Sequence, residues 1–264
     1  MSLFSLVDQN MQMRMSLFAV VQEAGIDSLS TLLWPVALMI LVAYLIGSIP
    51  FAYIIVKTVA GEDITVHGTG NVGAMNVRRT TGSWAWFTVA MLADALKGLL
   101  PTLAAVTIPL MLIDPALPAA GGAAWSGRAA PYAAAAVLGP QAVVLGAVLG
   151  HNYSLWLSIA KRKILGGKGL ATGGGALLAY DWRYFLFVLV VGLTVIAVTR
   201  YMMAGQVAAT LSLPVYVMIT GQQDMLFVLL LGGLVYLRHH RRFVGLLKGE
   251  EPKLYVEDRM DPRG

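Results

Sequence analysis

The sequence contains no cysteine and very little charge. Only 12% of its 264 residues are Asp, Glu, Lys or Arg, against about 25% in a typical soluble domain. Without cysteine, disulfides and thiolate metal sites are excluded, and we predict neither a metal nor a cofactor. The scarcity of charge and the mean hydropathy of +0.72 exclude a soluble globular domain.

In place of charge, the chain has long apolar runs. Hydrophobic residues make up 58% of it, and about 20 of them in a helix cross the hydrocarbon core of a bilayer. We therefore predict an all-α integral membrane protein. Six runs are candidates, at 32–56, 84–113, 131–149, 184–198, 204–220 and 225–237. A seventh run, 171–180, is long enough to cross the membrane only if the glycine-rich segment before it is also helical.

Lysine and arginine concentrate in alternate loops. Arg78 and Arg79 lie in the loop after the first run, and further lysines and arginines lie in the loop 161–168 and at the start of the tail, 238–248. The loop 114–130 contains only Arg128, and the loop 221–224 contains neither lysine nor arginine. Loops rich in these residues stay in the cytoplasm. The pattern favours seven spans over six, with the N-terminus outside and the C-terminus cytoplasmic. The net charge of +5 therefore indicates orientation, and we expect no nucleic-acid partner.

The chain divides into three segments. We predict an N-terminal extension at 1–30, a single transmembrane domain at 31–247 and a polar cytoplasmic tail at 248–264. The extension lacks the basic start, apolar centre and small-residue cleavage site of a secretory signal.

The first basic loop has an unusual sequence, HGTGNVGAMNV, followed directly by Arg78 and Arg79. Glycines let consecutive backbone N–H groups point inward and bind an anion, and an arginine can hold a phosphate with two hydrogen bonds. The alternative is a flexible turn capped by positive-inside arginines. The spacing is not that of a nucleotide-binding motif. The candidate binding residues are Gly70, Asn71, Gly73 and Asn76.

A second basic loop has the sequence ILGGKGLATGGG. Gly166, Gly167 and Gly169 flank Lys168, with Thr172 three residues beyond Gly169. A glycine-rich turn that feeds a helix N-terminus presents N–H donors to an anion, and the lysine adds a point charge. The alternative is that the glycines serve close helix packing.

Two polar groups interrupt the apolar runs. Asp94 and Lys97 are three residues apart in the second run, so they share a helical face and can pair. Charges in a span usually face a cavity or each other. We expect Asp94 to be structural and Lys97 to reach toward the loops. In the first run, GSIPF predicts a kink at Pro50, where Ser48 can satisfy a freed backbone group.

Histidines lie at the ends of two runs. His151 precedes the second basic loop and is either a binding residue or an ordinary interfacial one. His239 or His240 can titrate near neutrality and move a proton. The arginines beside them also suit anionic lipid headgroups, and Glu251 is best explained as an ion-pair partner.

Five strings, in this order, resemble the bacterial membrane-bound glycerol-3-phosphate acyltransferase family that uses acyl phosphate. They are AYLIGSIPFAYII, GTGNVGAMNVRR, DALKG, LGHNYSLWL with GGKGLAT, and RHH with LLKGEEPKL. The resemblance covers residues 44–253. It implies a seven-helix fold in the bacterial cytoplasmic (inner) membrane, with the active site near the cytoplasmic face.

The family's motifs map onto single residues of this chain. Its essential hydroxyl and arginine fall on Thr69 and Arg79, its histidine on His239 and its structural glutamate on Glu251. Its glycerol-phosphate loop falls on 166–169. We therefore expect Thr69, Arg79 and His239 to be catalytic. The substrate-binding set comprises Ser48, Lys97, His151, Thr172 and the residues of the two glycine-rich loops.

The chain also departs from the family's pattern. Met75 replaces a threonine, Arg242 an asparagine, and Met203 and Gln206 two serines. These changes in the expected polar pocket mark a divergent member.

The resemblance implies acyl transfer from acyl phosphate to the 1-hydroxyl of sn-glycerol 3-phosphate, which gives lysophosphatidic acid and phosphate. Membrane lipids and the enzyme that produces acyl phosphate are further expected partners. Two alternatives remain open. One is a non-catalytic paralogue that binds lipid or acyl phosphate. The other is an organophosphate transporter, although the outer halves of the runs offer few polar groups.

Overall fold

The computed structural model describes residues 29–112 and 130–250. Every regular element in these residues is a helix, so the predicted all-α class is confirmed there. Glu251, most of the predicted extension and most of the predicted tail lie outside the described residues.

Ten α-helices follow one another in the described residues, with a short 3-10 turn, Ile64–Val66, between α2 and α3. They are α1 (Leu29–Gly47), α2 (Phe51–Val59), α3 (Ala74–Thr81), α4 (Trp84–Leu112), α5 (Ala130–Asn152), α6 (Leu155–Lys161), α7 (Leu170–Tyr180), α8 (Trp182–Thr199), α9 (Met202–Thr220) and α10 (Met225–Leu247).

Five stretches of the described chain are long and apolar enough to cross a bilayer. They are Leu33–Val59, Trp84–Pro109, Ala134–Lys161, Trp182–Thr199 and Met202–Thr220. Helix α7 is apolar but shorter, and α10 continues beyond the predicted run into the basic segment. It ends just before Gly249, whose φ of +73° suits glycine. Seven spans and the two terminal orientations remain predictions.

Helix α5 is the centre of the bundle. Of 18 consecutive apolar residues in α5, 83% are buried inside the protein, against 11% of the 18 residues of α8. Gly146 and Gly150 lie four residues apart on the face that packs along α1, and a Cβ on Gly150 would overlap the carbonyl oxygen of Tyr44. Small residues allow this close approach where lipid offers no hydrophobic drive for helix association.

A buried polar network lies at the end of α10 opposite its basic segment. Gln141 Nε2 donates to Tyr180 Oη at 3.3 Å and to Asp224 Oδ1 at 3.0 Å. Tyr184 Oη donates to Asp224 Oδ2 at 2.8 Å. These polar groups are hydrogen-bonded to one another, and they connect α5 to the ends of α7, α8 and α10.

Helices α4 and α7 touch through glycines. A Cβ on Gly98 would overlap the carbonyl oxygen of Thr172, and one on Gly175 would overlap that of Ala95. This contact brings the polar face of α4 under the start of α7, where the second glycine-rich loop ends.

We expect Gly98→Ala to lower the free energy of unfolding by about 1–3 kcal/mol, because the methyl group must displace the backbone of α7. Gly233→Ala is the matched control, since a Cβ on Gly233 in α10 would meet no atom of another described element within 4 Å. Thermal unfolding in detergent compares the two variants. Equal shifts in melting temperature would contradict the close-packing argument.

Candidate active site

The gap between α1 and α2 exposes backbone carbonyls that other helices satisfy. Lys97 Nζ donates to the carbonyl oxygen of Ile49 at 2.9 Å, and Ser154 Oγ donates to that of Ser48 at 2.5 Å. The predicted kink is therefore a full break. The hydroxyl of Ser48 does not fill the role expected for it: it is buried and has no hydrogen-bond partner in the described residues.

Asp94 connects two side chains behind this break. Its Oδ1 lies 2.7 Å from Lys97 Nζ and 3.5 Å from His151 Nδ1. All three side chains are buried, and they line a small cleft with Ser48 and the second glycine-rich loop. The predicted Asp94–Lys97 pair is confirmed. Because Lys97 is engaged by Asp94 and Ile49, we assign it to positioning.

The second glycine-rich loop is held from two sides. The Gly167 N–H donates to the carbonyl oxygen of His151 at 2.8 Å, and a Cβ on Gly167 would overlap the His151 ring. From α10, Arg238 Nε donates to the carbonyl oxygen of Gly167 at 2.9 Å and Nη2 to that of Gly166 at 3.1 Å. Lys168 therefore projects from a fixed base.

Asn76 holds the first loop in shape. Its Nδ2 donates to the carbonyl oxygens of Ile64 at 3.1 Å and His67 at 3.0 Å, and its Oδ1 accepts from the N–H of Thr69 at 3.4 Å. The side chain is 1% exposed. Because its amide group is used by the backbone, we assign Asn76 to positioning Thr69.

Asp63 ties the first loop to α6. Its Oδ2 lies 2.5 Å from Lys161 Nζ, and its Oδ1 accepts from the Thr65 N–H at 3.0 Å. Burial would raise the pKa of Asp63, but these hydrogen bonds outweigh it and lower the pKa to about 2. The Val72 N–H donates to the carbonyl oxygen of Gly166 at 3.4 Å, which joins the two loops directly.

Several backbone N–H groups expected to receive an anion are used inside the protein. Hydrogen bonds within and between the loops occupy those of Thr69, Gly70, Val72 and Gly167. The expectation of a backbone nest is wrong for these four groups, because the same donors are needed to hold the loops together. Attraction for an anion therefore rests mainly on side chains.

Four cationic side chains form what we call the cationic cluster. Arg79 comes from α3, Lys168 from the second loop, and Arg238 and Arg242 from consecutive turns of α10. Burial, followed by the charges of the three arginines, lowers the pKa of Lys168 to about 8. The described charges that act on Lys168 are thus all positive, and the cluster attracts anions.

Adjacent arginines of α3 have different environments. The Arg78 guanidinium stacks on the Trp84 ring, 3.8 Å from its centroid. Arg79 extends past Gly68 of the first loop and lies within electrostatic range of Lys168 and Arg242. The structure thus favours Arg79 over Arg78 for anion binding. The loop sequence alone does not distinguish the two arginines.

His239 lies against the cationic cluster. It is 2% exposed, and its Nδ1 lies 2.8 Å from the carbonyl oxygen of Val235. An N–H on Nδ1 leaves Nε2 as an acceptor, and Nε2 is buried with no hydrogen-bond partner in the described residues. Burial outweighs the Val235 bond and, with the nearby cations, lowers the pKa of His239 to about 4. The ring is therefore neutral at pH 7.

The remaining predicted residues lie at different depths. Thr69, Asn71 and Gly73 are at least partly exposed on the first loop. Gly169, with a φ of +73°, is the N-cap residue of α7. Thr172 is fully buried with no hydrogen-bond partner for Oγ1 in the described residues.

The divergent positions of α9 face the protein interior. Met203 is 1% exposed. The Gln206 Oε1 atom is buried without a hydrogen-bond partner in the part of the chain that the structure describes.

Sequence reasoning missed two supports of the site. The sequence pattern suggests lipid contact for Arg238 and gives no role to Asp63. Both act on partners far along the chain, Arg238 on residues 71 and 72 positions earlier and Asp63 on a residue 98 positions later. The only sequence signal for these supporting roles was that Asp63 lies close in sequence to a glycine-rich motif and Arg238 lies in a basic one.

Comparison with known proteins gives a family match over most of the chain. The family model for glycerol-3-phosphate acyltransferase matches residues 37–249. A glycerol-3-phosphate acyltransferase of Geobacillus kaustophilus is 34% identical over 220 residues, which cover 83% of this chain and 95% of that protein. One of Coxiella burnetii is 33% identical over 216 residues, with coverages of 81% and 96%.

Solved structures share the fold. Two crystal structures of PlsY (YgiH), an integral membrane glycerol 3-phosphate acyltransferase, are 27% identical to this chain and cover 83% of it, while 95% of each of those chains is matched. The TM-score is 0.64 for the glycerol 3-phosphate form and 0.62 for the lysophosphatidic acid form. The family match and these relatives together cover most of the described helices and both glycine-rich loops, and the chain belongs to the glycerol-3-phosphate acyltransferase family.

Proposed function

We propose that this protein transfers an acyl group from acyl phosphate to the 1-hydroxyl of sn-glycerol 3-phosphate. The products are lysophosphatidic acid and phosphate. The observation that carries the proposal is the cationic cluster, which lies beside the neutral ring of His239, whose acceptor nitrogen has no partner in the part of the chain that the structure describes. The family membership supports acylation of glycerol 3-phosphate, and the site chemistry favours acyl phosphate as donor.

The donor argument rests on charge. Acyl phosphate is a mixed anhydride, so the glycerol hydroxyl can attack its carbonyl carbon without a covalent enzyme intermediate. The new C–O bond forms as the bond to phosphate breaks. The electron pair leaves with the phosphate, which also receives the hydroxyl proton. The protein must hold two phosphates close together against their repulsion, and a preorganised positive field does this.

Each site residue then has a role. Arg79 and Lys168 hold phosphate groups, and the Thr69 hydroxyl donates to a phosphate oxygen. Nε2 of His239 accepts a hydrogen bond from the attacking hydroxyl and orients it. With a pKa of about 4, His239 is a weak proton acceptor, so a phosphate oxygen is the final acceptor.

A second set acts from behind. Ser48, Lys97, His151 and Thr172, which we expected to bind substrate, are all buried. Of these, Lys97 and His151 position the helix break and the second loop through their hydrogen bonds, and the hydroxyls of Ser48 and Thr172 remain predicted substrate contacts. The acyl chain lies among the membrane helices. We place the active site near the cytoplasmic face of the bacterial inner membrane, in a fold of seven spans.

The first test uses purified protein with palmitoyl phosphate and glycerol 3-phosphate. We expect equal amounts of phosphate and lysophosphatidic acid. Arg79→Ala should reduce turnover by about 100-fold or more, because a charge that stabilises the transition state is lost. Arg78→Ala is the control, since Arg78 stacks on Trp84. Binding of either substrate without turnover would instead indicate a non-catalytic binder.

The donor is tested by replacing palmitoyl phosphate with palmitoyl-coenzyme A at equal concentration. We expect no lysophosphatidic acid, because the thioester does not place a compact phosphate beside its carbonyl. Comparable rates with both donors would overturn the acyl-phosphate assignment and leave the acceptor assignment intact.

The hydroxyl at position 69 is tested by an isosteric pair. Thr69→Val keeps the shape and removes the hydrogen-bonding group, and we expect kcat to fall by about 100-fold. Thr69→Ser keeps the hydroxyl and should stay within a few-fold of the parent. If Val were as active as Ser, the hydroxyl would have no catalytic role.

Lys168 gives the site a pH dependence. Its pKa of about 8 means that it is charged below pH 8 and loses its charge as the pH rises further. We expect kcat/KM for glycerol 3-phosphate to fall above pH 8 by up to about tenfold per pH unit. Lys168→Arg keeps the charge and should abolish this fall. An unchanged alkaline limb in that variant would assign it to another group.

A further inference from the structure

The chain makes a closed excursion after α5, which we call the α6 loop and define as residues 154–165. The Ser154 N–H donates to the carbonyl oxygen of Leu165 at 2.9 Å, and the Leu165 N–H donates to Ser158 Oγ at 3.0 Å. The two ends of the α6 loop therefore meet at the C-terminal end of α5, and its last residue leads directly into Gly166 of the second glycine-rich loop.

Trp156 fixes the α6 loop beside the end of α1. Because the Ile49 N–H bonds to the carbonyl oxygen of Ile46 at 3.1 Å, it does not take the carbonyl oxygen of Leu45, its regular partner in an α-helix. Trp156 Nε1 donates to that carbonyl oxygen at 3.0 Å instead. The α6 loop thus lies where α1 and α5 end, and both helices belong to stretches long and apolar enough to cross a bilayer. Tryptophan is typical of this level, since its ring is apolar and its N–H is polar.

The α6 loop has a packed part and an exposed part. In the packed part, Leu157 is 2% exposed and lies in an apolar cluster with residues of α2 and α3. The exposed part, which we call the open side, includes Trp156 at 47%, Ile159 at 65% and Ile164 at 73% exposure. Trp156 and Ile159 are three positions apart and share a face of α6. Large apolar side chains exposed together in this way mark a contact with a membrane or with another protein.

Three cations follow one another in the α6 loop, and they differ in their partners. Lys161 Nζ lies 2.5 Å from Asp63 Oδ2. Arg162 and Lys163 are exposed, and neither side chain has a hydrogen-bond or ion-pair partner within residues 29–112 and 130–250. The α6 loop contains no acidic residue. Its open side therefore combines apolar groups with net positive charge.

This combination discriminates among partners. A soluble anion uses only the cations, and the tails of a neutral lipid use only the apolar side chains. An anionic phospholipid offers an apolar boundary and a negative headgroup at neighbouring depths. We propose that the open side of the α6 loop is a docking surface for anionic phospholipid. Its three exposed apolar side chains lie at the boundary between acyl chains and headgroups, and Arg162 and Lys163 contact the headgroups.

Docking acts on the site through two connections. The α6 loop continues into the second glycine-rich loop, and the Lys161–Asp63 ion pair ties it to the first loop. Anionic lipid therefore helps to hold both loops at the membrane surface. The docking surface does not depend on the proposed function, because it uses none of the residues assigned to catalysis.

The test places the full chain in phosphatidylcholine vesicles that contain a minor fraction of one brominated phospholipid. Bromine quenches a fluorophore that it contacts, and the difference between the parent and Trp156→Phe gives the signal of Trp156. We expect brominated phosphatidylglycerol to quench Trp156 at a lower mole fraction than brominated phosphatidylcholine does, by about fivefold for each of the two cations. Ile164→Cys supplies a second probe, because the chain has no cysteine and a thiol-reactive fluorophore labels only this position.

Two double variants assign the lipid preference to the α6 loop. Arg162→Gln combined with Lys163→Gln removes the two charges and should abolish the preference for phosphatidylglycerol, while quenching by both lipids remains. Arg200→Gln combined with Arg241→Gln is the matched control, because it removes the same charge from exposed positions outside the α6 loop. The control should keep the parental preference. High salt should weaken the preference of the parent, since exposed charges are screened.

Four results would overturn the docking proposal. The first two are equal quenching by the two brominated lipids in the parent, and a full preference in the variant that lacks Arg162 and Lys163. The third is an equal loss of preference in the control, since the effect would then come from net charge alone. The fourth is no quenching of either probe by either lipid, which would leave the open side to a protein partner. None of these measurements depends on turnover, so a failure to form lysophosphatidic acid would overturn the proposed function alone.

Discussion

Backbone groups at membrane depth must find hydrogen-bond partners inside the protein, because lipid offers none. The active-site end of this chain is organised by that requirement. Where the first membrane helix breaks, Lys97 and Ser154 reach two freed carbonyls. Where the second glycine-rich loop turns, Arg238 reaches two more. Charged side chains that are costly near a membrane are thus stabilised by the irregular backbone that they hold in place.

This arrangement produces two polar layers that differ in net charge. In the inner layer Lys97 is paired with Asp94, and His151 lies beside the same carboxylate. Charge is balanced there, and the layer supports the loops from behind. In the outer layer Lys168 is surrounded by arginines, and its pKa falls to about 8 because the described charges around it are positive. Only the outer layer is suited to attract a phosphate.

Much of this organisation was predictable because it depends on short-range periodicity. Asp94 and Lys97 pair since residues three apart share a helical face, and Pro50 interrupts a helix because it lacks an N–H group. The use of the loop N–H groups inside the protein was not predictable. A glycine-rich loop leaves its N–H groups free or uses them to pack against a neighbouring loop, and the amino-acid pattern is the same in both cases.

The sequence by itself determined the membrane class, the helical runs, the two basic glycine-rich loops and the family, because these follow from composition and local motifs. The family resemblance already pointed to Arg79 over Arg78. The tertiary structure supplied the physical reason, since the Arg78 guanidinium stacks on the Trp84 ring. It alone placed Arg238 on a loop about 70 residues away along the chain. Such contacts depend on how helices pack. Packing is decided by the shape of surfaces far apart in the chain, which no local pattern encodes.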